Sequence, residues 1–364
     1  MATTVTAGCG AGAQVTRNGN DGTLADGVST LVATNNMAVP RSGHTATLLA
    51  DGRVLIAGGM ERNGVYFDSA ELYDPVASRF TATPKDMSTQ RVGHTATLLP
   101  DGKVLIAGGW GNGGVSASAE LYDPMTAAFT PTGNMTSPRG DFSATLLPNG
   151  KVLVSGGEND HALSSAEIYD PATGKFTATG NMIAKRTMHN AVLLTNGKVL
   201  IVGGGEYEHP LNSAELYDPV NGTFSVTGSM SVPRYKQAAT VLPDGNVLIV
   251  GGSNGRDWQG QYASSETYDP AKGIFSAVSE MKMAHFKLPE ATALLKNGKV
   301  LIAGGGEQIE TYDPTTKSFS LAAGRMDTAR FYSTATLLRD GRVLIAGGYD
   351  IHSLASSKAW VFKT

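Results

Sequence analysis

The side chains of this sequence that can move protons or hold a charged ligand stand in a few unusual places. Asp141, Lys236 and Glu290, with Tyr235 and Tyr332, supply carboxylate, amine and phenol groups. Such groups serve as general acids and bases on a sugar, or as polar contacts to a bound ligand. Three short strings set an imidazole after acidic neighbours: Glu158-Asn159-Asp160-His161, Glu206-Tyr207-Glu208-His209 and Tyr349-Asp350-Ile351-His352. Carboxylate and imidazole together ligate zinc or manganese. The three strings lie far apart, and His209 aligns with the others only after a one-residue shift. Solvated loop charge is therefore the expected role of His161, His209 and His352, and no cofactor is expected. Trp110 and Trp258, with Tyr66, Tyr207, Tyr262 and Tyr349, add flat apolar area that suits sugar rings or protein surfaces.

What must position these groups is a repeat. A double glycine recurs seven times, from Gly58-Gly59 to Gly347-Gly348, at steps of 43 to 53 residues. Periods of that length mark propellers or arrays. Each repeat reads as four short strands. In the second, HTATLL ends at the turn Pro100-Asp101-Gly102, and KVLIAGG follows. Asp-Gly between two β-rich runs is a hairpin signal. SAELYD stops at Pro124, which cannot donate to a ladder, and AFT makes an outer strand. Tyrosines (Tyr73, Tyr122, Tyr169, Tyr217, Tyr268, Tyr312) and phenylalanines (Phe80, Phe129, Phe176, Phe224, Phe275, Phe319) recur in two columns, as packing between repeats requires.

Against this regular background the chemical candidates stand out as departures. Before the first strand runs a column of cations: Arg41, Arg91, Arg139, Arg186, Arg234, Lys287 and Arg330. Glu71, Glu120, Glu167, Glu215, Glu266 and Glu310 form a matching acid column, and bidentate pairing is expected. Ala359 sits near the acid position of the last repeat, which leaves Arg330 to meet a ligand. The first two repeats follow their arginine with Ser-Gly-His and Val-Gly-His. Later repeats put Gly140-Asp141-Phe142, Tyr235-Lys236-Gln237, Leu288-Pro289-Glu290 and Phe331-Tyr332-Ser333 there instead. Breaks in local consistency are expected at functional sites.

The double glycine, the downstream Tyr-Asp-Pro, the aromatic of the fourth strand and the Arg-x-Gly-His opening resemble the Kelch-repeat family of β-propellers. The family's usual tryptophan is phenylalanine here. The resemblance implies an all-β fold: a seven-bladed propeller of four-stranded antiparallel blades over residues 29–364, preceded by a flexible tail over 1–28. The last repeat stops after its third strand, and STLVATNNM (Ser29 to Met37) matches KFTATGNM. The N-terminal strand should thus complete the last blade and close the ring. The loops after strand two and the links from strand four to strand one share one face. The family uses that face and its central funnel, which the departing residues should rim. The iron-ligand string of nitrile-specifier relatives, Glu-x3-Asp-x3-His, is absent. The galactose-oxidase relatives need a cysteine-crosslinked tyrosine for copper, and the single Cys9 lies in the tail.

Composition narrows the function. A net charge of −3 and a pI near 6.2 give no footprint for nucleic acid. No apolar run is long enough to span a membrane. One cysteine precludes an internal disulfide framework. VTAGCGAGA around Cys9 resembles the cleavage site of a bacterial lipoprotein, although no signal region precedes it. An extracellular or periplasmic protein, lipid-anchored through Cys9, is one expectation; the composition also admits a cytoplasmic one. The sequence points to a monomer that binds carbohydrate or a protein segment through Asp141, Glu158, Tyr235, Lys236, Glu290, Arg330, Tyr332, Tyr349, Trp110 and Trp258. The alternative is an epimerase, mutarotase or lyase acting on a sugar through Asp141, Lys236, Glu290 and Tyr332.

Overall fold

Local chemistry sets each sheet in the computed structural model, which describes residues 29–62, 64–206, 209–255 and 260–364. The expected tail, with Cys9, lies outside the described residues. In the second repeat Thr95–Leu98, Val104–Ala107, Ala119–Asp123 and Ala128–Pro131 form one antiparallel sheet. Its first hairpin closes as Leu99 N–H donates to the Lys103 carbonyl and Gly102 N–H to that of Leu99, at 2.8 and 3.0 Å. The Asp123 carboxylate accepts from Met125 N–H at 2.9 Å, so Asp-Pro makes the turn into the outer strand. The second strand, VLIA, is buried throughout, because neighbouring sheets cover both of its faces.

Among the described residues there is no helix, and five sheets have four strands. A sixth sheet has eight strands. Its seam is Thr30–Ala33, antiparallel to Ala359–Lys363 and parallel to Ser318–Arg325 at the single pair Thr30 and Ala323. The first strands of successive repeats lie side by side. Apolar clusters bridge one sheet to the next, as when Leu105 and Ala107 meet Val152, Val154 and Tyr169. Each such aliphatic side chain contributes about 2 kcal/mol. Tyr73–Phe80 and its counterparts stack cross-strand at 4.8 to 4.9 Å between ring centroids.

The double glycine is a steric requirement. Gly108 has φ of 65°, and a Cβ there would meet the Arg139 carbonyl oxygen at 2.5 Å and the Phe142 ring at 2.6 Å. Gly108→Ala is therefore expected to cost about 2 kcal/mol or more, from left-handed backbone and overlap together. Urea unfolding checks it; an unchanged midpoint would rule the steric account out.

Candidate functional site

The arginine–glutamate columns build the frame that carries the site. Arg139 is wholly buried, donates from Nη1 to the Gly156 carbonyl at 2.6 Å and pairs through Nη2 with Glu167 at 2.8 Å. The same pair recurs as Arg41–Glu71, Arg91–Glu120, Arg186–Glu215 and Arg234–Glu266, at 2.9 to 3.2 Å. Burial pulls these guanidinium groups below their ordinary value, and the carboxylates oppose that. Each glutamate also accepts from the backbone of the incoming link, as Glu167 does from Thr136 N–H at 2.8 Å. The link is held from both sides.

Two residues after this column the backbone turns left-handed in every repeat. Gly43, Gly93, Asp141, Met188, Lys236, Lys287 and Tyr332 all have φ between 51° and 63°. Neighbours are tied together: Asp141 N–H donates to the Gly93 carbonyl, Met188 to Asp141, Lys236 to Met188, Tyr332 to Lys287 and Gly43 to Tyr332, at 2.8 to 3.2 Å. Glycine adopts this conformation freely, whereas each side chain there costs about 1–2 kcal/mol. Strain of this kind concentrates at functional sites. Met188 belongs to the column and was missed in the sequence, since a methionine reads as ordinary core.

The column encircles a cavity of about 360 Å³ lined by Trp110, Asp141, Lys236, Glu290 and Tyr332, with Met60, Met188 and Asn190 on its walls. Asp141 is pushed up to about 7, chiefly by burial and then by the Glu158 carboxylate; Lys236 and the Trp110 indole N–H oppose the shift. Glu158 sits on the facing rung, its backbone paired with Gly140, and is raised by burial too. Glu290 is also pushed up to about 7 by burial, while the Ala46 N–H across the channel holds it back. Glu290 keeps an accessible surface inside the channel, so water there weakens the push. The Lys236 ammonium lies 4.7 Å from the Tyr235 ring centroid.

Several expectations change. Lys287 is not in the cation column. His285 is: its Nδ1–H donates to the Gly304 carbonyl at 2.6 Å and its Nε2 lies 3.1 Å from the Glu310 carboxylate, the places the arginines reach at their glycine and glutamate. Lys287 falls two residues later, on the left-handed column, and donates to the Tyr349 hydroxyl at 2.7 Å among Phe286, Phe331 and Tyr332. Arg330 is not free to meet a ligand. Trp360, not Ala359, takes the acid position opposite Ile345; it lies under the guanidinium at 5.7 Å, and Asp327 accepts from Arg330 at 2.9 Å. Tyr235 turns from the cavity and donates to the Gly255 carbonyl at 2.9 Å, anchoring a loop. Tyr349 is likewise buried as a packing residue. Trp258 and Tyr207 lie outside the described residues. His161, His209 and His352 are exposed, and among the described residues no three His, Cys, Asp or Glu side chains converge to hold a metal.

Three other histidines sit below the rim, each buried and bonded through Nε2: His44 to Thr334, His94 to Thr45 and His189 to Ser155, at 3.1 to 3.3 Å. Burial pulls each down to about 3, so all three are neutral.

Antiparallel four-stranded sheets, set with their first strands side by side about a common cavity, define a β-propeller. The model described as "Kelch motif" matches residues 91–136, 142–183 and 186–231, so these three consecutive repeats are Kelch motifs. Among solved structures it resembles one titled "Novel fungal alcohol oxidase with catalytic diversity among the AA5 family, in complex with copper". Identity is 18%, over 93% of this chain and 76% of that one, with a TM-score of 0.77; the likeness is one of fold. No curated protein matches. The funnel does not fit copper of that kind: its imidazoles are engaged through Nε2 in separate sheets, and no donor cluster forms among the described residues.

Proposed function

We propose that residues 29–364 form a single seven-bladed propeller that binds a glycan or a protein segment in its funnel. The eight-stranded sheet is read as two blades joined by the strand Thr30–Ala33, which pairs with the C-terminal strand. One observation carries the binding reading: four side chains that break the repeat, Asp141, Lys236, Glu290 and Tyr332, and the loop aromatic Trp110 come from five different repeats to one cavity. Concave sites with apolar walls and a few convergent polar groups are the usual form of ligand pockets.

A thermal-shift screen against neutral sugars, uronic and sialic acids, short peptides and divalent metals tests it. A ligand at 100 times its Kd adds about 2.7 kcal/mol. The shift is expected to vanish in Lys236→Ala or Asp141→Ala, and survival in both variants would place the ligand elsewhere. A second reading, a sugar epimerase or lyase, draws on Asp141 and Glu290 standing near neutrality, where acid–base catalysts work best. Binding is preferred because it asks of these groups only that they converge on one cavity. Turnover of any shifting sugar, followed by NMR, would reverse that preference.

A further inference from the structure

Glu290 stands on an insertion that no other repeat has. From Arg41 to Ala46, which pairs with Ile56 opposite the acid position, the chain takes five steps (46 − 41); from His285 to the equivalent Thr292 it takes seven (292 − 285). The other repeats keep the shorter spacing. The additional pair, Pro289 and Glu290, is carried into the channel, and Ala335 N–H of the next repeat donates to the Glu290 carbonyl at 2.8 Å. The carboxylate meets the Ala46 N–H of the first repeat. One residue thus reaches three consecutive repeats on the channel wall.

The charge around it is unbalanced. Asp141 and Glu158 both feel the Lys236 ammonium. Among the described residues no lysine or arginine bears on Glu290. On the same cavity Asn190 holds a buried side-chain carbonyl oxygen with no hydrogen-bond partner. Among the described residues the cavity lining holds two carboxyl groups, Asp141 and Glu290, and one ammonium, Lys236. Its walls, Trp110, Tyr332, Met60 and Met188, offer aromatic faces and flexible thioethers around those acceptors. Aromatic faces attract organic cations, and methionine adapts to an alkyl stem. Gly43 and Gly93 bring no side chain to the column, and the space beside Gly93 is taken by the Asp141 carboxyl, whose Oδ1 lies 2.7 Å from where a Cβ would stand.

We infer that the funnel floor receives an organic cation, an ammonium or guanidinium group delivered end-on, with Glu290 as its counter-charge; this rests on the funnel reading above. The two sources of such a group are an amino sugar and a lysine or arginine side chain of a protein segment.

Isothermal titration of the whole chain separates them. The charged probes are glucosamine, Nα-acetyl-lysine amide and Nα-acetyl-arginine amide. The matched uncharged probes are N-acetylglucosamine and Nα-acetyl-norleucine amide, and glucuronate supplies the opposite charge. At least one charged probe is expected to bind tenfold or more tightly than its uncharged match. Glu290→Gln should remove that margin and Glu290→Asp should keep part of it, both with unchanged circular dichroism. Preference for glucosamine names the sugar source; preference for the amino-acid amides names the protein source. Equal binding of charged and uncharged probes overturns the inference. So does glucuronate binding that is lost in Lys236→Ala, a result that leaves the funnel reading standing. Zinc or manganese binding reversed by a chelator overturns it as well. Silence from every probe also overturns it, and the funnel reading falls with it only if the wider screen above is silent too.

Discussion

Lowering the pH from 7 to 4.5 is expected to remove about 5 kcal/mol of stability, and the central histidines are the cause. His44, His94 and His189 are held near 3 when folded, against 6.5 when unfolded. A depressed histidine leaves its stabilisation intact above 6.5. As pH falls from 6.5 toward 3 the unfolded chain takes up a proton that the folded one refuses, so stability drops. At pH 4.5 each site accounts for about 2–3 kcal/mol. Asp141 and Glu290 act in the opposite sense. Their folded values near 7 mean the folded protein binds protons first, so they add stability as pH falls from 7 toward 4. Both face the water-accessible channel, which limits their share to about 1 kcal/mol each. The sequence itself supplies the control. Gln237 fills the histidine position of the fifth repeat and donates to the Val202 carbonyl at 2.9 Å. Changing all three histidines to glutamine should flatten the profile of urea midpoint against pH. An acid slope that survives the triple variant would refute the assignment.

The second large effect concerns the buried ion pairs. Arg139→Ala leaves Glu167 uncompensated and two carbonyls, those of Gly156 and Ser165, without their donor. Breaking a buried pair from one side costs about 3–5 kcal/mol. Replacing both members, as Arg139→Met with Glu167→Leu, should recover much of that loss. The last repeat has Trp360 where the others have glutamate, and there Arg330 takes Asp327 as its counter-charge instead. Urea unfolding of the single and double variants decides it. Equal losses in both would mean that the carbonyl contacts, not the charge pair, dominate.

The repeat made the strands and the Tyr–Phe columns legible, because packing against identical neighbours imposes the same residue types at the same spacing. Asp141, Lys236, Glu290 and Tyr332 were legible for the opposite reason, as interruptions of that spacing, and Trp110 as a loop aromatic. Met188 and Asn190 were not, since methionine and asparagine there look like ordinary variation. The sixth repeat misled because its insertion lies between the column and the strand. Counting forward from Lys287 put Glu290 in the right place for the wrong reason, and only hydrogen bonding shows that His285 does the arginine's work. Arg330 misled because an aromatic ring in the acid position has no complementary charge to read.

The pairing of Thr30–Ala33 with Ala359–Lys363 has a consequence in time. The first of these strands finds its antiparallel partner only after every strand between them has been made. Contacts this distant in sequence are slow to form, because a long loop must close before any of them is gained. Until then the third strand's outer edge is unpaired and open to a strand from another molecule. Recovery of native protein on refolding should therefore fall with rising protein concentration, and a chain whose first and last strands were made contiguous by circular permutation should escape that dependence.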